Sequence, residues 1–243
     1  IFLDWTIANY IKDGNVADGR FTYHIYPESP QASETESIYT CPTDLQTRDV
    51  SQYGVDYIRF TCPGDFTLHF EGSIQTQVVP ADPHSGAYYF WSNAGDESDM
   101  TLTRAFDFTA HSGALTLSYW TWYDLEEDYD YVYVEASSNG QNWQILSTPS
   151  CTTADPSGNS YGCGYNGYSN GWIQESVDLT PFAGQKVLLR FQYITDAALN
   201  GAGLLLDDIA IPEIDYTTGF EADDGGWQSA GFGHGAFGLR RSV

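Results

Sequence analysis

Between residues 86 and 211 one pattern recurs: a short run with apolar and polar residues alternating, a turn rich in Gly, Asn, Asp or Ser, then another run. The runs are "GAYYFW" (86–91), "MTLTRAFDF" (100–108), "ALTLSYWTWY" (114–123), "YDYVYVEAS" (129–137), "WQILS" (143–147), "WIQESVDL" (172–179), "KVLLRFQYI" (186–194) and "GLLLDDIAI" (203–211). A period of two sends successive side chains to opposite faces, so each run needs a second layer to bury its apolar face. Many such runs at short spacing predict an all-β sandwich. Ser138-Asn139-Gly140 is hairpin chemistry between two of them. Upstream, "DYIRFTC" (56–62) and "FTLHFE" (66–71) read as further strands.

The N-terminus departs from this period. Leu3, Ile7, Tyr10 and Ile11 share one helical face and Gly14 can end it, which predicts a short helix over 3–13. Residues 14–56 are polar, and "PESPQASETES" (27–37) reads as a linker. The expected organisation is an extension with helix and linker (1–60), a sandwich (61–211), and a C-terminal β extension or the start of a further module (212–243). The further module is suggested because "FEADDGGWQSAGF" echoes the "FEGS" at 70–73; a strand completing the same sandwich is the equal alternative.

Charge narrows the partners. The formal net charge is −24, and Lys12 and Lys186 are the only lysines. Nucleic-acid binding needs a basic face to displace counterions, and an anionic bilayer surface repels such a chain, so neither partner is expected. There is no apolar stretch long enough to span a bilayer, and no membrane insertion is expected. The chain opens without Met on "IFLDWTIANYIKDG", which reads as a processed or excised piece.

Four cysteines form two local pairs without Cys-x-x-Cys spacing or a His cluster, which argues against zinc. Disulfides Cys41–Cys62 and Cys151–Cys163 are expected, each contributing ~2–4 kcal/mol, in an oxidising compartment.

At "HSGAYYFWSNAGDESDMTLTRAFDFT" (84–109), "WTWYDLEEDYDYVYVEASSNGQNW", "GWIQESVDLTPFAGQKVLLRFQYITDAALNGAGLLLDDIAIPEI" and "FEADDGGW", the chain resembles the C-terminal, non-catalytic MAM-like module of immune inhibitor A-type secreted metallopeptidases, the M6 family. The resemblance covers roughly 65–230. It implies a jelly-roll-like, MAM-like sandwich, secretion to an extracellular setting, and structural calcium. It implies no catalysis here: His24, His69, His84, His111 and His234 are scattered, and none forms the His-Glu-x-x-His zinc pattern of the family's peptidase domain.

Two calcium sets follow as expectations. In "GLLLDDIAI", Leu205, Asp207, Ile209 and Ile211 share one face of a regular strand; if that face is core, Asp207 is buried and needs a partner. The resemblance implies a calcium ligand at this Asp, with Glu71, Asp96 or Asp99 and backbone carbonyls supplying the rest. The alternative is an Asp hydrogen-bonded to loop N–H groups. The second set is Asp124, Glu127, Asp128 and Asp130 in "DLEEDYD", where a solvated hairpin tip is the alternative. The spacing is not an EF-hand. Paired carboxylates for glycoside hydrolysis, or a Ser-His-Asp arrangement, have no supporting signature in the sequence.

The aromatic residues Tyr119, Trp120, Trp122, Tyr123, Tyr129, Tyr131 and Tyr133 alternate across two strands, one face for the core and the other for a sugar, a protein or another module. The expected function is a calcium-stabilised extracellular accessory region, serving docking on protein or cell-surface glycan, adhesion or stabilisation. The alternatives are a subunit of an extracellular fibre or surface layer that self-associates through β edges, and a carbohydrate-binding module.

Overall fold

The computed structural model describes residues 2–13, 15–23, 32–50, 54–72, 75–236 and 240–242. The chain divides into two compact units, Ile1–Gly72 and Ser73–Val243.

In the first unit, helix α1 (Phe2–Ile11) forms where the helical spacing predicts it. Tyr10 stacks on Tyr57 with ring centroids 4.9 Å apart, and the Tyr57 hydroxyl donates to the Thr6 carbonyl at 2.6 Å. Strands β1 (Glu36–Ile38) and β2 (Ile58–Phe60) pair in parallel, and the Cys41–Cys62 disulfide closes the connection between them. The expected strand at 66–71 does not form. Alternation makes a strand only where a neighbouring edge accepts its backbone, and none of the described residues does so here. Phe66, Leu68 and Phe70 are left 48%, 62% and 84% exposed. His24 and residues 27–31 of the expected linker lie outside the described residues.

The second unit is the sandwich. Its strands are β3 (Gln75–Gln77), β4 (Tyr88–Trp91), β5 (Asp99–Asp107), β6 (Thr116–Asp124), β7 (Tyr131–Ser137), β8 (Gln144–Ile145), β9 (Ile173–Asp178), β10 (Lys186–Ile194), β11 (Gly203–Ile211), β12 (Tyr216–Thr218), β13 (Gln228–Ala230), β14 (Gly233–Ala236) and β15 (Arg240–Ser242). One sheet runs β13-β5-β10-β7-β8; the other runs β14-β4-β11-β6-β9, with β12 added on β11. A separate β3–β15 pair completes the set. Pairings inside both main sheets are antiparallel.

The period of two is visible in the burial. On β6, Leu117, Tyr119, Thr121 and Tyr123 are buried while the residues between are not; on β10, Val187, Leu189, Phe191 and Tyr193 point the same way. These join Leu204, Leu206, Val132 and Val134 in one core. β7 breaks the pattern, being buried throughout. Its second face is covered by the disulfide-closed loop: Tyr161 N donates to the Tyr133 hydroxyl at 2.9 Å, and a side chain at Gly164 would meet the Tyr133 ring at 2.8 Å. Residues 212–236 are built into the same sandwich. β13 and β14 pair with β5 and β4, and Phe220 and Trp227 lie in the main core.

Candidate cation site

Asp207 is fully buried, but not on the face that regular alternation predicts. The β11–β6 register shifts between Asp207 and Ala210, and Asp208 sits there at φ +48°. Such a bulge inserts a residue and resets which side chains face inward. Leu204 and Leu206 point into the main core before it; Ile209 and Ile211 do so after it. Leu205 belongs to a second cluster with Val79 and Tyr89, flanked by Trp91 and Trp122. Asp207 is therefore buried beneath the cover on the outer sheet face, and it does not share the Ile face.

The groups around it come from the His84–Ser85 loop and from the bulge of β11 itself. Asp207 Oδ2 accepts from Ser85 N at 3.1 Å and Oδ1 from Asp208 N at 2.8 Å. Asp208 accepts from Ser85 Oγ at 2.9 Å, and its other oxygen lies 2.7 Å from His84 Nδ1. One ligand atom from each of His84, Asp207 and Asp208 lies within 4.8 Å of the others. The His84 ring is fixed by stacking on Trp120 at 3.8 Å, with Trp172 edge-on at 5.8 Å. Burial pushes the Asp207 carboxyl up to about 6, and the neighbouring Asp208 charge adds to this against the hydrogen bonds it accepts.

Glycine allows two further groups to approach. Glu221 Oε1 accepts from Ala87 N and Tyr88 N at 2.8 and 2.9 Å, and a Cβ on Gly86 would lie 2.3 Å from its carboxyl carbon. A Cβ on Gly219 would lie 2.9 Å from Asp208 Oδ1. Asp207 and Asp208 present carboxylate oxygens to one place, with the His84 ring nitrogen beside them; carboxylate oxygens suit a hard divalent cation such as calcium.

Two of the expected partners of Asp207, Asp96 and Asp99, make other contacts. Asp99 accepts from Gln192 Nε2 at 2.6 Å on the five-stranded sheet, and Asp96 accepts from Asn200 Nδ2 at 2.6 Å. Glu71 is an exposed residue of the first unit. Glu221, in the segment that echoes Phe70-Glu71, accepts from the loop that carries His84 and Ser85. His84, Ser85 and Asp208 were missed because their grouping depends on the bulge and on pairs more than 120 residues apart in sequence.

The acidic loop also gathers a different set from the expected one. Glu126, Asp130 and Asp196 bring one ligand atom each within 4.8 Å of one another. Of the expected four, only Asp130 belongs. Its oxygens accept from the Tyr193 hydroxyl and Asp196 N, both at 3.0 Å. Asp124 accepts from Ala202 N, Glu127 is exposed, and Asp128 turns at φ +71° with its N–H on Asn166. The connection between β10 and β11 supplies Asp196 to this group. Burial raises the pKa of both Glu126 and Asp130, and Asp196 and Asp96 add like-charge repulsion. Tyr129, Tyr161 and Tyr168 are 45%, 71% and 65% exposed on the loops of this region.

A family profile described as "Immune inhibitor A-like, MAM domain" matches residues 72–236. The chain belongs to this family. The match takes in the His84–Ser85 loop, β11 and Glu221 together. The chain is 30% identical over 201 residues to the pre-pro-metalloprotease PrtV of Vibrio cholerae serotype O1 (strain M66-2), covering 83% of this chain and 19% of that protein. It is 35% identical over 132 residues to immune inhibitor A of Bacillus thuringiensis subsp. alesti, covering 53% and 18%. It is 26% identical over 122 residues to bacillopeptidase F of Bacillus subtilis (strain 168), covering 50% and 7%. It thus spans less than a fifth of these relatives' lengths. Among the described residues, no helix is long and apolar enough to cross a membrane.

Proposed function

We propose that this chain is a secreted, non-catalytic accessory region of a metallopeptidase, stabilised by calcium at Asp207 and Asp208, and used to dock on protein or cell-surface glycan. The observation that carries the calcium reading is Asp207 itself: it is fully buried, beside a second carboxylate, with two backbone N–H groups as its hydrogen-bond donors. A buried ionised carboxylate is costly unless a counter-charge accompanies it. The family and the metalloprotease relatives support the accessory role. The Glu126–Asp130–Asp196 group is a second, weaker place for the same ion.

Thermal melting with calcium and with EDTA tests the reading. At calcium about 100-fold above Kd the gain is ~2.7 kcal/mol, a rise of roughly 5–10 °C for a unit of this size. Asp207→Asn removes the gain. An identical melting temperature in calcium and in EDTA would sink the calcium part.

The exposed tyrosines at the acidic end favour glycan as the docking partner, because aromatic faces stack on sugar rings. Retention on glycan affinity gels that is lost in Tyr161→Ala and Tyr168→Ala supports this; no retention on any glycan removes it.

A further inference from the structure

The chain contains four Asn-Gly pairs, at 139–140, 166–167, 170–171 and 200–201, and the structure treats them differently. We infer that Asn170 is a site of spontaneous deamidation to aspartate and isoaspartate, and that the other three pairs are protected by the fold.

The reaction needs a free side-chain amide and a free following N–H. The Gly nitrogen loses its proton and attacks Asn Cγ; the new N–Cγ bond closes a succinimide and the Cγ–Nδ2 bond breaks, releasing ammonia. Water then adds to either carbonyl of the ring and the C–N bond at that carbonyl breaks, the nitrogen regaining a proton; attack at Cγ gives aspartate and attack at the main-chain carbonyl gives isoaspartate, so the net change is gain of water and loss of ammonia. Glycine favours it because no Cβ shields the attacking nitrogen.

Three pairs are held out of this geometry. Asn139 Oδ1 accepts from Gln141 N and Asn142 N, both at 2.9 Å, and the attacking Gly140 N donates to Ser137 Oγ at 2.9 Å. Asn166 is bonded on both sides of its amide: Oδ1 accepts from Asp128 N at 3.0 Å, and Nδ2 donates to the Asp130 carbonyl at 2.9 Å. Asn200 Nδ2 donates to Asp96 at 2.6 Å, and Gly201 packs so closely that a Cβ would lie 2.1 Å from the Asp124 carbonyl oxygen.

Asn170 differs on every count. It is exposed and its side chain makes no hydrogen bond among the described residues. Nothing lies within 4 Å of where a Cβ on Gly171 would sit. Both residues have positive φ, +57° and +130°, in a surface turn. Isoaspartate would lengthen the backbone by one carbon at residue 170, two residues before Trp172, whose indole N–H donates to the Asp82 carbonyl at 2.9 Å and whose ring meets His84 edge-on.

The test is incubation of the folded protein at mildly alkaline pH beside a urea-unfolded sample. Peptide mapping then follows the amide-to-acid mass change, and isoaspartyl methyltransferase labels the isomer. In the folded protein Asn170 should convert severalfold faster than each of the other three; in urea the four rates should converge. Asn170→Gln should abolish the fast phase. Conversion at 139, 166 or 200 as fast as at 170 in the folded protein would overturn the inference, as would an inert Asn170 while the unfolded sample reacts.

Discussion

The two units of this chain illustrate opposite routes to order. The sandwich buries a continuous core of aromatic and aliphatic side chains, with Phe191, Tyr193, Leu204 and Leu206 at zero exposure. In the first unit, Thr6 and Ala8 are the only described residues that are buried. Its order rests on one helix, one short parallel strand pair, the Tyr10–Tyr57 stack and the Cys41–Cys62 bond. Hydrophobic burial is the dominant favourable contribution to folding, so the sandwich is held chiefly by its core while the first unit, with little buried, leans more on its covalent bridge.

Truncation should expose this contrast most strongly. Phe191→Ala should cost ~3–5 kcal/mol through lost burial and a cavity, whereas Phe70→Ala, at a residue 84% exposed, should stay within about 0.5 kcal/mol. Denaturant melts measure both, and a large cost at Phe70 would show that its ring is covered in solution.

Paired Cys→Ser replacements come next. Each bridge closes a short loop, with sequence separations of 21 and 12, and each removal should cost ~2–4 kcal/mol. The location of the damage separates the units. Cys41→Ser/Cys62→Ser should abolish hydrogen-exchange protection in the first unit and leave β5, β7 and β10 protected. Cys151→Ser/Cys163→Ser should loosen the loop over Tyr131 and Tyr133. Global unfolding from the first pair would contradict the independence of the sandwich.

The smallest expected effect is the pH dependence at Asp207. Its carboxyl is raised from 3.8 to about 6 in the folded state, so the folded chain binds the proton more tightly than the unfolded chain does. Without calcium this contributes stability that is fully present below about pH 4 and is lost as pH rises through about 6, at most ~3 kcal/mol in all. Calcium inverts the sign, because protons then compete with the ion for the same oxygens. Melting between pH 4 and 7, with Asp207→Asn as reference to cancel the general effect of the −24 charge, checks both halves. A reference-corrected slope unaltered by calcium would separate Asp207 from the ion.

The sandwich was readable from sequence because burial and period coincide: β5, β6 and β10 carry their alternation in plain view. The helix and both disulfides were readable because they are local. The strand at 66–71 failed because alternation says nothing about whether a partner edge is present. Of the candidate cation site, only Asp207 was legible. One residue of bulge at Asp208 changed the face that β11 presents, and the companions of Asp207 come from loops whose proximity is a property of the sheet order. The acidic loop shows the same limit: clustering in sequence put Glu127 and Asp128 beside Asp130, and a left-handed turn separated them.

The pairing of β13 with β5 and of β14 with β4 also bears on timing. A chain emerging from its N-terminus makes β4 and β5 early, yet both lack an outer neighbour until residues 228–236 appear. During that interval two hydrogen-bonding edges stay open, and the places of Phe220 and Trp227 in the core are unfilled. Contacts spanning more than a hundred residues close slowly, so the interval before that last segment docks is when a chaperone, a neighbouring chain or a protease has its best access to this sandwich.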